Sequence, residues 1–138
     1  MYLLILLVNE LQSYQLFIKV NKDIDLKVGK LGRFIFSIGS YVYTGSAKKN
    51  LDKRIERHLS KKKKLHWHID YLLNNDAVQI IDIKKSEIIE CILNKKTNGT
   101  IIIKGFGSSD CNLCCGSHLK YLGNYALAEL SANATRRL

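Results

Sequence analysis

The stretch from Gly39 to Leu59 constrains the fold of this 138-residue chain most strongly. Residues 41–43 alternate as in a half-buried β-strand. We expect this strand to end at Gly45, because glycine can adopt the positive φ that a sharp exit requires. A basic helix over residues 50–60 is predicted to follow, with Asn50 as its N-cap.

Two polar side chains of this helix are predicted to lie together. Arg54 and His58 are four residues apart, so they are neighbours on the helix surface. A tyrosine at the strand end, such as Tyr43, could face both of them and handle a phosphodiester. The alternative is a strand and a helix with ordinary surface charge.

The positive charge of the chain is concentrated in one segment. The sequence has 22 Lys and Arg against 12 Asp and Glu, for a net charge of +10, and nine of the 22 lie between Lys48 and Lys64. Such a patch favours a polyanion, most often nucleic acid, with binding that weakens steeply with salt. We expect the four adjacent lysines 61–64 to project into solvent, where a DNA backbone could meet them. The alternative is a solvated surface on a protein that is simply basic.

The apolar pattern predicts one α+β domain over residues 1–138, with residues 131–138 as a loose tail. The apolar run Tyr2–Val8 is too short to span a membrane and lacks a basic leader, so we expect a first strand and a cytoplasmic protein. The first strands are expected to form a β-meander before the central strand and helix. The predicted strands are 2–9, 14–20, 32–37, 77–83 and 100–104. The other predicted helices are 65–74 and 87–93, and Ser86 is the expected N-cap of the second. Residues 118–122 are expected to return to the core.

The segment from His66 to Tyr71 is rich in polar and aromatic groups. His66 and Asp70 are four residues apart and could share a hydrogen bond or a metal. Trp67 and Tyr71 have the same spacing and could stack on a base. The alternative is a helix packed through its aromatic rings, with Asp70 fixing a histidine tautomer.

A cysteine cluster near the end of the chain has partial zinc-ligand spacing. Cys111, Cys114 and Cys115 with His118 form a Cys-x-x-Cys-Cys-x-x-His pattern that could hold Zn²⁺. Closed structural zinc sites usually draw on two separated pairs, and Cys91 is the one other thiol. The alternative is a set of buried or reactive thiols in a reducing cytosol.

Several of these stretches resemble a known nuclease motif. Tyr43-Thr44-Gly45, Asn50-Leu51 and Lys53-Arg54-Ile55 resemble the second half of the GIY-YIG motif of homing endonucleases, some restriction enzymes and an excision-repair nuclease subunit. The whole chain is similar to a mainly archaeal group placed in that superfamily, the domain-of-unknown-function family 123. The matching stretches are 41–47, 54–59, 66–72, 90–91, 105–111 and 117–119. This resemblance implies a small, mostly antiparallel sheet flanked by helices.

The resemblance also implies a metal-dependent DNA endonuclease or repair-type nuclease. Tyr43 would orient or activate the water, Arg54 would clamp the phosphate and His58 would assist proton transfer. Glu90 would hold Mg²⁺ or Mn²⁺, with Glu87 as the fallback ligand. The first half-motif, Gly-x-Tyr, is absent from its usual place, and Tyr2 would supply its tyrosine.

We expect the partner to be nucleic acid, with DNA favoured, and not a membrane. Its contacts would come from the basic segment and the aromatic segment that follows it. The candidates are Lys48, Lys49, Arg57, Lys61, Lys62, Lys63, Lys64, His66, Trp67 and His68. Two further functions stay open, a nucleic-acid-binding module that has lost cleavage and a zinc-stabilised interaction domain.

Overall fold

The structure, a computed structural model, describes residues 10–47, 49–108 and 116–124. It confirms the α+β class. The elements are β1 Ser13–Val20, β2 Ile24–Val28, β3 Gly32–Phe36, β4 Gly39–Ser46, α1 Leu51–Leu59, α2 His68–Leu73, β5 Val78–Ser86, α3 Glu90–Lys96 and β6 Leu119–Gly123. The strand predicted at 2–9 and the tail 131–138 lie outside the described residues. The single-domain organisation over residues 1–138 stays a prediction.

The main sheet has four antiparallel strands in the order β5-β1-β4-β6. All of β1 except Lys19 is buried, as expected of a strand with a neighbour on each side and a covered surface on each face. The predicted β-meander is wrong, because β1 pairs with β4 and β5, while β2 and β3 form a separate hairpin. The buried eight-residue β1 finds a partner of equal length in β4, whereas β2 and β3 are short and partly exposed.

Each face of the main sheet has its own packing. On one face, Tyr14 and Tyr43 pack with the hairpin and with Ile55 of α1 and Leu72 of α2. On the other face, Phe17 of β1 packs with Val42 of β4. Helix α3 contacts β4. It is followed by Thr97, whose hydroxyl accepts a hydrogen bond of 2.7 Å from the Gln15 side chain. Helices α1 and α2 and the residue after α3 therefore all pack against the same central strands, β1 and β4.

Two helices begin later than predicted. Helix α2 begins at His68 because Asp70 accepts the backbone N–H groups of His66 and Trp67, which holds the chain extended at Trp67. Helix α3 begins at Glu90 rather than at residue 87, because β5 continues to Ser86, which pairs with Ser13. Ser86 still caps the backbone, since its hydroxyl accepts the N–H of Ile88.

Two other local predictions are wrong. Asn50 makes no side-chain cap on α1 and instead takes the left-handed conformation at φ 56°, which asparagine tolerates better than most residues. Residues 100–104 form no strand and contribute one isolated bridge, Thr100 to Tyr121. Within the described ranges, none of the helices has the length and apolar character needed to cross a membrane.

Candidate active site

Tyr14 and His58 form the centre of a buried polar cluster between β1 and α1. The hydroxyl oxygen of Tyr14 lies 2.6 Å from Nε2 of His58, and the two residues are 1% and 3% exposed. Tyr14 pairs with Gly45 across the β1–β4 ladder. The prediction that a positive φ at Gly45 ends the strand is wrong, because Gly45 lies inside β4 and its φ is not in that region. Glycine is needed there because the Tyr14 ring occupies the side-chain space.

Burial holds both members of this pair in their uncharged forms. It raises the pKa of Tyr14 well above its ordinary value, and the opposing influence of the nearby Arg54 is smaller. It also lowers the pKa of His58 to about 4, with a further contribution from the positive charge of Lys63. At neutral pH a protonated phenol therefore faces a neutral imidazole. A proton arriving at the phenol oxygen could release the phenol's own proton to Nε2.

Tyr43, the tyrosine predicted to act on the water, lies beside this pair. Its ring centroid is 6.5 Å from that of Tyr14 and 6.2 Å from that of His58. Burial raises the pKa of Tyr43 well above its ordinary value. The structure thus places two protonated tyrosines next to His58, and Tyr14 is the one whose hydroxyl contacts it.

Arg54 is fixed by contacts on two sides. Its Nη1 donates a 3.0 Å hydrogen bond to the carbonyl of Ser46, at the end of β4. Its guanidinium carbon also lies 4.4 Å from the ring centroid of Trp67, as does that of Arg57. A guanidinium has five N–H donors, so Arg54 held in this way can still offer donors to a phosphate.

Glu90 sits at the start of α3 and is held by two side chains. Its Oε1 accepts a 2.9 Å hydrogen bond from the Ser46 hydroxyl, and its Oε2 lies 2.9 Å from Nδ1 of His118. The Glu90 side chain is 23% exposed, whereas that of His118 is 2% exposed. Ser46 links this carboxylate to Arg54, because its carbonyl accepts from Arg54 and its hydroxyl donates to Glu90.

The donor set around Glu90 fits a magnesium-type ion. Mg²⁺ binds through one or two carboxylates and takes its other ligands from water and phosphate oxygens. Glu90 supplies one such carboxylate, and the neighbouring Ser46 hydroxyl is also an oxygen donor. Within the described residues, no group of three or more His, Cys, Asp and Glu forms a ready-made metal site. An ion there would therefore depend on the substrate for part of its coordination.

The predicted zinc cluster is described at one of its four positions. Cys111, Cys114 and Cys115 lie outside the described residues, so zinc binding stays a prediction. His118, its fourth member, is buried with Nδ1 against Glu90 and 3.2 Å from the carbonyl of Thr44. The structure thus places His118 in the carboxylate site.

The lysine loop does not simply project into solvent. Nζ of Lys61 donates to the carbonyl of Leu73 at 2.5 Å, and Nζ of Lys63 donates to the carbonyls of Arg57 and His58. These carbonyls lie at the ends of α1 and α2, where helices leave such groups without intrahelical partners. Lys61, Lys62, Lys64 and Lys49 are nonetheless exposed, Lys63 is partly buried, and Lys48 lies outside the described residues.

Arg57 forms an ion pair with Asp70, which lies within the aromatic segment from His66 to Tyr71. Nη1 and Nη2 of Arg57 each donate a 2.9 Å hydrogen bond to one oxygen of Asp70, which is fully buried. Desolvation alone would raise the pKa of Asp70, but Arg57 and the backbone N–H groups of residues 66 and 67 lower it overall. Asp70 thus bonds Arg57 and the backbone at His66, not the imidazole of His66. Arg57 orients Trp67 as well as adding positive charge.

Tyr14 is the main site residue that was not predicted from the sequence. The role of a second tyrosine was expected of Tyr2, which lies outside the described residues. The alternation of residues 14–20 indicated a strand but gave no sign that Tyr14 meets His58.

Residues 13–138 match the family model described as Domain of unknown function DUF123. The match begins at the first residue of β1 and includes Tyr14, Arg54, His58 and Glu90. No curated protein and no solved structure matches the chain. Because the family model covers most of its length, the chain belongs to the family Domain of unknown function DUF123.

Proposed function

We propose that this protein is a metal-dependent endonuclease of the GIY-YIG type that hydrolyses phosphodiester bonds in DNA. The proposal is carried by the convergence of Tyr14, His58 and Arg54 near the partly open carboxylate of Glu90. Phosphodiester hydrolysis needs an activated water, stabilisation of charge on the phosphate and help for the leaving oxygen. These residues can meet those needs at one place.

The Tyr14–His58 pair would activate the water. Tyr14 is protonated at neutral pH and is therefore no base by itself. As the water attacks phosphorus, its proton passes to the Tyr14 oxygen while the Tyr14 proton passes to Nε2 of His58. The pKa of His58, lowered to about 4, keeps this acceptor neutral before the reaction.

Arg54 and Glu90 would act on the phosphate. The Arg54 guanidinium, held by Ser46 and Trp67, would donate to the non-bridging oxygens and stabilise their growing negative charge. Glu90 would hold Mg²⁺ or Mn²⁺, which when bound stabilises negative charge on the phosphate and leaving oxygens. Ser46 and His118 orient this carboxylate, as the outer partners of metal ligands commonly do.

The net charge of +10 supports a nucleic-acid partner. We propose a cytoplasmic protein acting in DNA repair, the role that the resemblance implies for a nuclease of this type. Exposed Lys49, Lys62 and Lys64 near α1 are available for backbone contacts.

The test is cleavage of blunt, nicked, forked and branched DNA with Mg²⁺ or Mn²⁺, comparing the wild type with Arg54→Ala and Glu90→Gln. Each substitution should lower the rate by about 100-fold or more, because each removes a charged contact to the reacting phosphate. Matched controls are Arg33→Ala and Glu10→Gln, which change exposed side chains of the same type. Both controls should cleave at the wild-type rate.

Two results would contradict the nuclease. Cleavage that persists in Glu90→Gln or without divalent metal would show that another site or a contaminant is responsible. Salt-sensitive binding by all the variants, with no cleavage of any substrate, would establish a nucleic-acid-binding module. Tightly bound zinc, with loss of folding on chelation, would instead support the zinc-stabilised interaction domain.

A further inference from the structure

A cavity of about 770 Å³ lies between the β2–β3 hairpin and the start of α2. Its size is within the usual range for sites that hold a small organic group. The residues that line it are Lys27, Gly29, Lys30, His66, His68 and Tyr71.

The cavity adjoins the proposed active site through Trp67. The Trp67 ring contacts the Arg54 guanidinium, while its sequence neighbours His66 and His68 line the cavity. The His66 ring centroid is 5.4 Å from that of Trp67. A chain bound with one phosphate at Arg54 could therefore place an adjacent nucleotide in the cavity.

The cavity offers positive charge and aromatic surface together. Lys27 and Lys30 are exposed, and no carboxylate is found among its described lining residues. His68 accepts a 2.9 Å hydrogen bond at Nδ1 from the N–H of Gly107, and burial lowers its pKa, so its ring is neutral. The two lysines thus supply the charge at neutral pH.

Tyr71 is set against the backbone of the hairpin. A Cβ added to Gly29 would lie 3.2 Å from the Tyr71 hydroxyl oxygen, so the turn at Gly29 lies directly over this end of the ring. The ring is partly exposed and lines the cavity. Aromatic rings beside lysines are the usual platform for unpaired bases, because every base can stack through its π-face.

We propose that this cavity binds an unpaired nucleotide of the DNA strand, beside the phosphate held at Arg54. The inference rests on the proposed nuclease function, and it names the substrate class as DNA with a single-stranded stretch at the cleavage point. Bases in an intact duplex stay stacked and could not present a face to Tyr71. The lysines would contact the flanking phosphates.

The test is fluorescence-anisotropy binding in EDTA, with a forked DNA that has one unpaired arm and a blunt duplex of the same paired sequence. The wild type should bind the fork about tenfold more tightly, which is in the range of one base–aromatic stack. Tyr71→Leu and the double variant Lys27→Ala/Lys30→Ala should bind both DNAs alike. Tyr71→Phe keeps the ring and should keep the preference.

The matched control is Lys95→Ala/Lys96→Ala, which removes the same charge from exposed positions on α3. It should weaken the binding of both DNAs equally. Equal binding of fork and duplex by the wild type, or an unchanged preference in Lys27→Ala/Lys30→Ala, overturns the proposal. Thermal melting shows whether the Tyr71→Leu protein is folded. If it is not folded, the binding preference of Lys27→Ala/Lys30→Ala alone decides whether the proposal stands.

A cleavage assay with Mn²⁺ distinguishes failure of the nucleotide site from failure of the proposed nuclease function. A protein that prefers forks through these residues but never cleaves DNA overturns the nuclease and supports the cavity as a nucleotide site. A protein that cleaves in a Glu90-dependent way but binds fork and duplex alike overturns the cavity site and supports the nuclease.

Discussion

The ring of Tyr14 occupies the space that a side chain at position 45 would fill. A Cβ built on Gly45 would lie 2.5 Å from both Cζ and the hydroxyl oxygen of Tyr14, a distance that real Cβ contacts do not show. The glycine of β4 thus sets the position of the hydroxyl that meets His58. The consequence can be measured.

Gly45→Ala should displace Tyr14 and remove the Tyr14–His58 hydrogen bond. We expect a loss of about 1–3 kcal/mol in the free energy of unfolding, as for other overpacked sites, together with loss of cleavage. The double variant Tyr14→Leu/Gly45→Ala removes the clash and should recover stability but not activity. Additive stability effects in urea unfolding would contradict this coupling.

Tyr14→Phe should keep the fold and lose the reaction. The variant leaves the buried Nε2 of His58 without its partner, which should cost about 1–3 kcal/mol of stability. The rate should fall by about 10²–10⁴-fold because the proton relay is broken. DNA affinity should not change. The control is Tyr121→Phe, which removes a hydroxyl that donates to the carbonyl of Ile38. A wild-type rate for Tyr14→Phe would exclude the relay.

Acidification should destabilise the protein through His58. Burial lowers its pKa from 6.5 to about 4 in the folded state, so the unfolded chain takes up the proton first as the pH falls. The stability is therefore complete above pH 6.5 and is lost towards pH 4, by up to about 3 kcal/mol.

Urea unfolding between pH 7 and pH 4.5 measures this loss, with His58→Gln as the comparison. In the variant, the free energy of unfolding should depend less on pH. A smaller loss of stability towards low pH should remain because burial also lowers the pKa of His68. Identical slopes in both proteins would show that His58 is not the group that titrates.

Asp70→Asn should be strongly destabilising. Asp70 is fully buried and accepts from Arg57 and from two backbone N–H groups, so its loss of charge leaves Arg57 without its partner. We expect a cost of about 3–5 kcal/mol in thermal or urea unfolding. The control is Asp25→Asn in the exposed pair with Arg33, which should cost less than about 1 kcal/mol. Similar costs for both would contradict a structural role for Arg57–Asp70.

His118→Asn should weaken metal binding at Glu90. His118 contacts Oε2 of Glu90, and the loss of such an outer partner commonly lowers metal affinity by about 10–100-fold. Calorimetric titration with Mn²⁺ measures the affinity directly, and a higher Mn²⁺ concentration should partly restore cleavage. Unchanged Mn²⁺ affinity would mean that Glu90 is not the metal ligand or does not need this partner.

The local parts of the fold were predictable from the sequence. Helix α1 was expected at residues 50–60 and occurs at Leu51–Leu59, because its apolar spacing is a local pattern. The same spacing indicated that Arg54 and His58 lie together. The alternation of residues 14–20 likewise predicted β1.

The parts that were missed depend on partners far along the chain. Tyr14 meets His58 over a separation of 44 residues, and His118 meets Glu90 over 28, so no local pattern indicates either contact. The start of α3 was misplaced because Ser86 pairs with Ser13 in the sheet, which keeps residue 86 in a strand. The lysine loop was predicted in part, since Lys61, Lys62 and Lys64 are exposed as expected. The helix-end carbonyls that bind Lys61 and Lys63 are set by the tertiary fold and could not be predicted.

The central position of β1 has a consequence during synthesis of the protein on the ribosome. Both strands that flank β1 are encoded after it, since β4 begins at Gly39 and β5 at Val78. Until β5 has left the exit tunnel, one edge of β1, which carries the apolar residues Leu16, Phe17 and Ile18, has backbone N–H and C=O groups without their strand partner. Translation therefore passes through a period in which this strand is open to aggregation with other nascent chains.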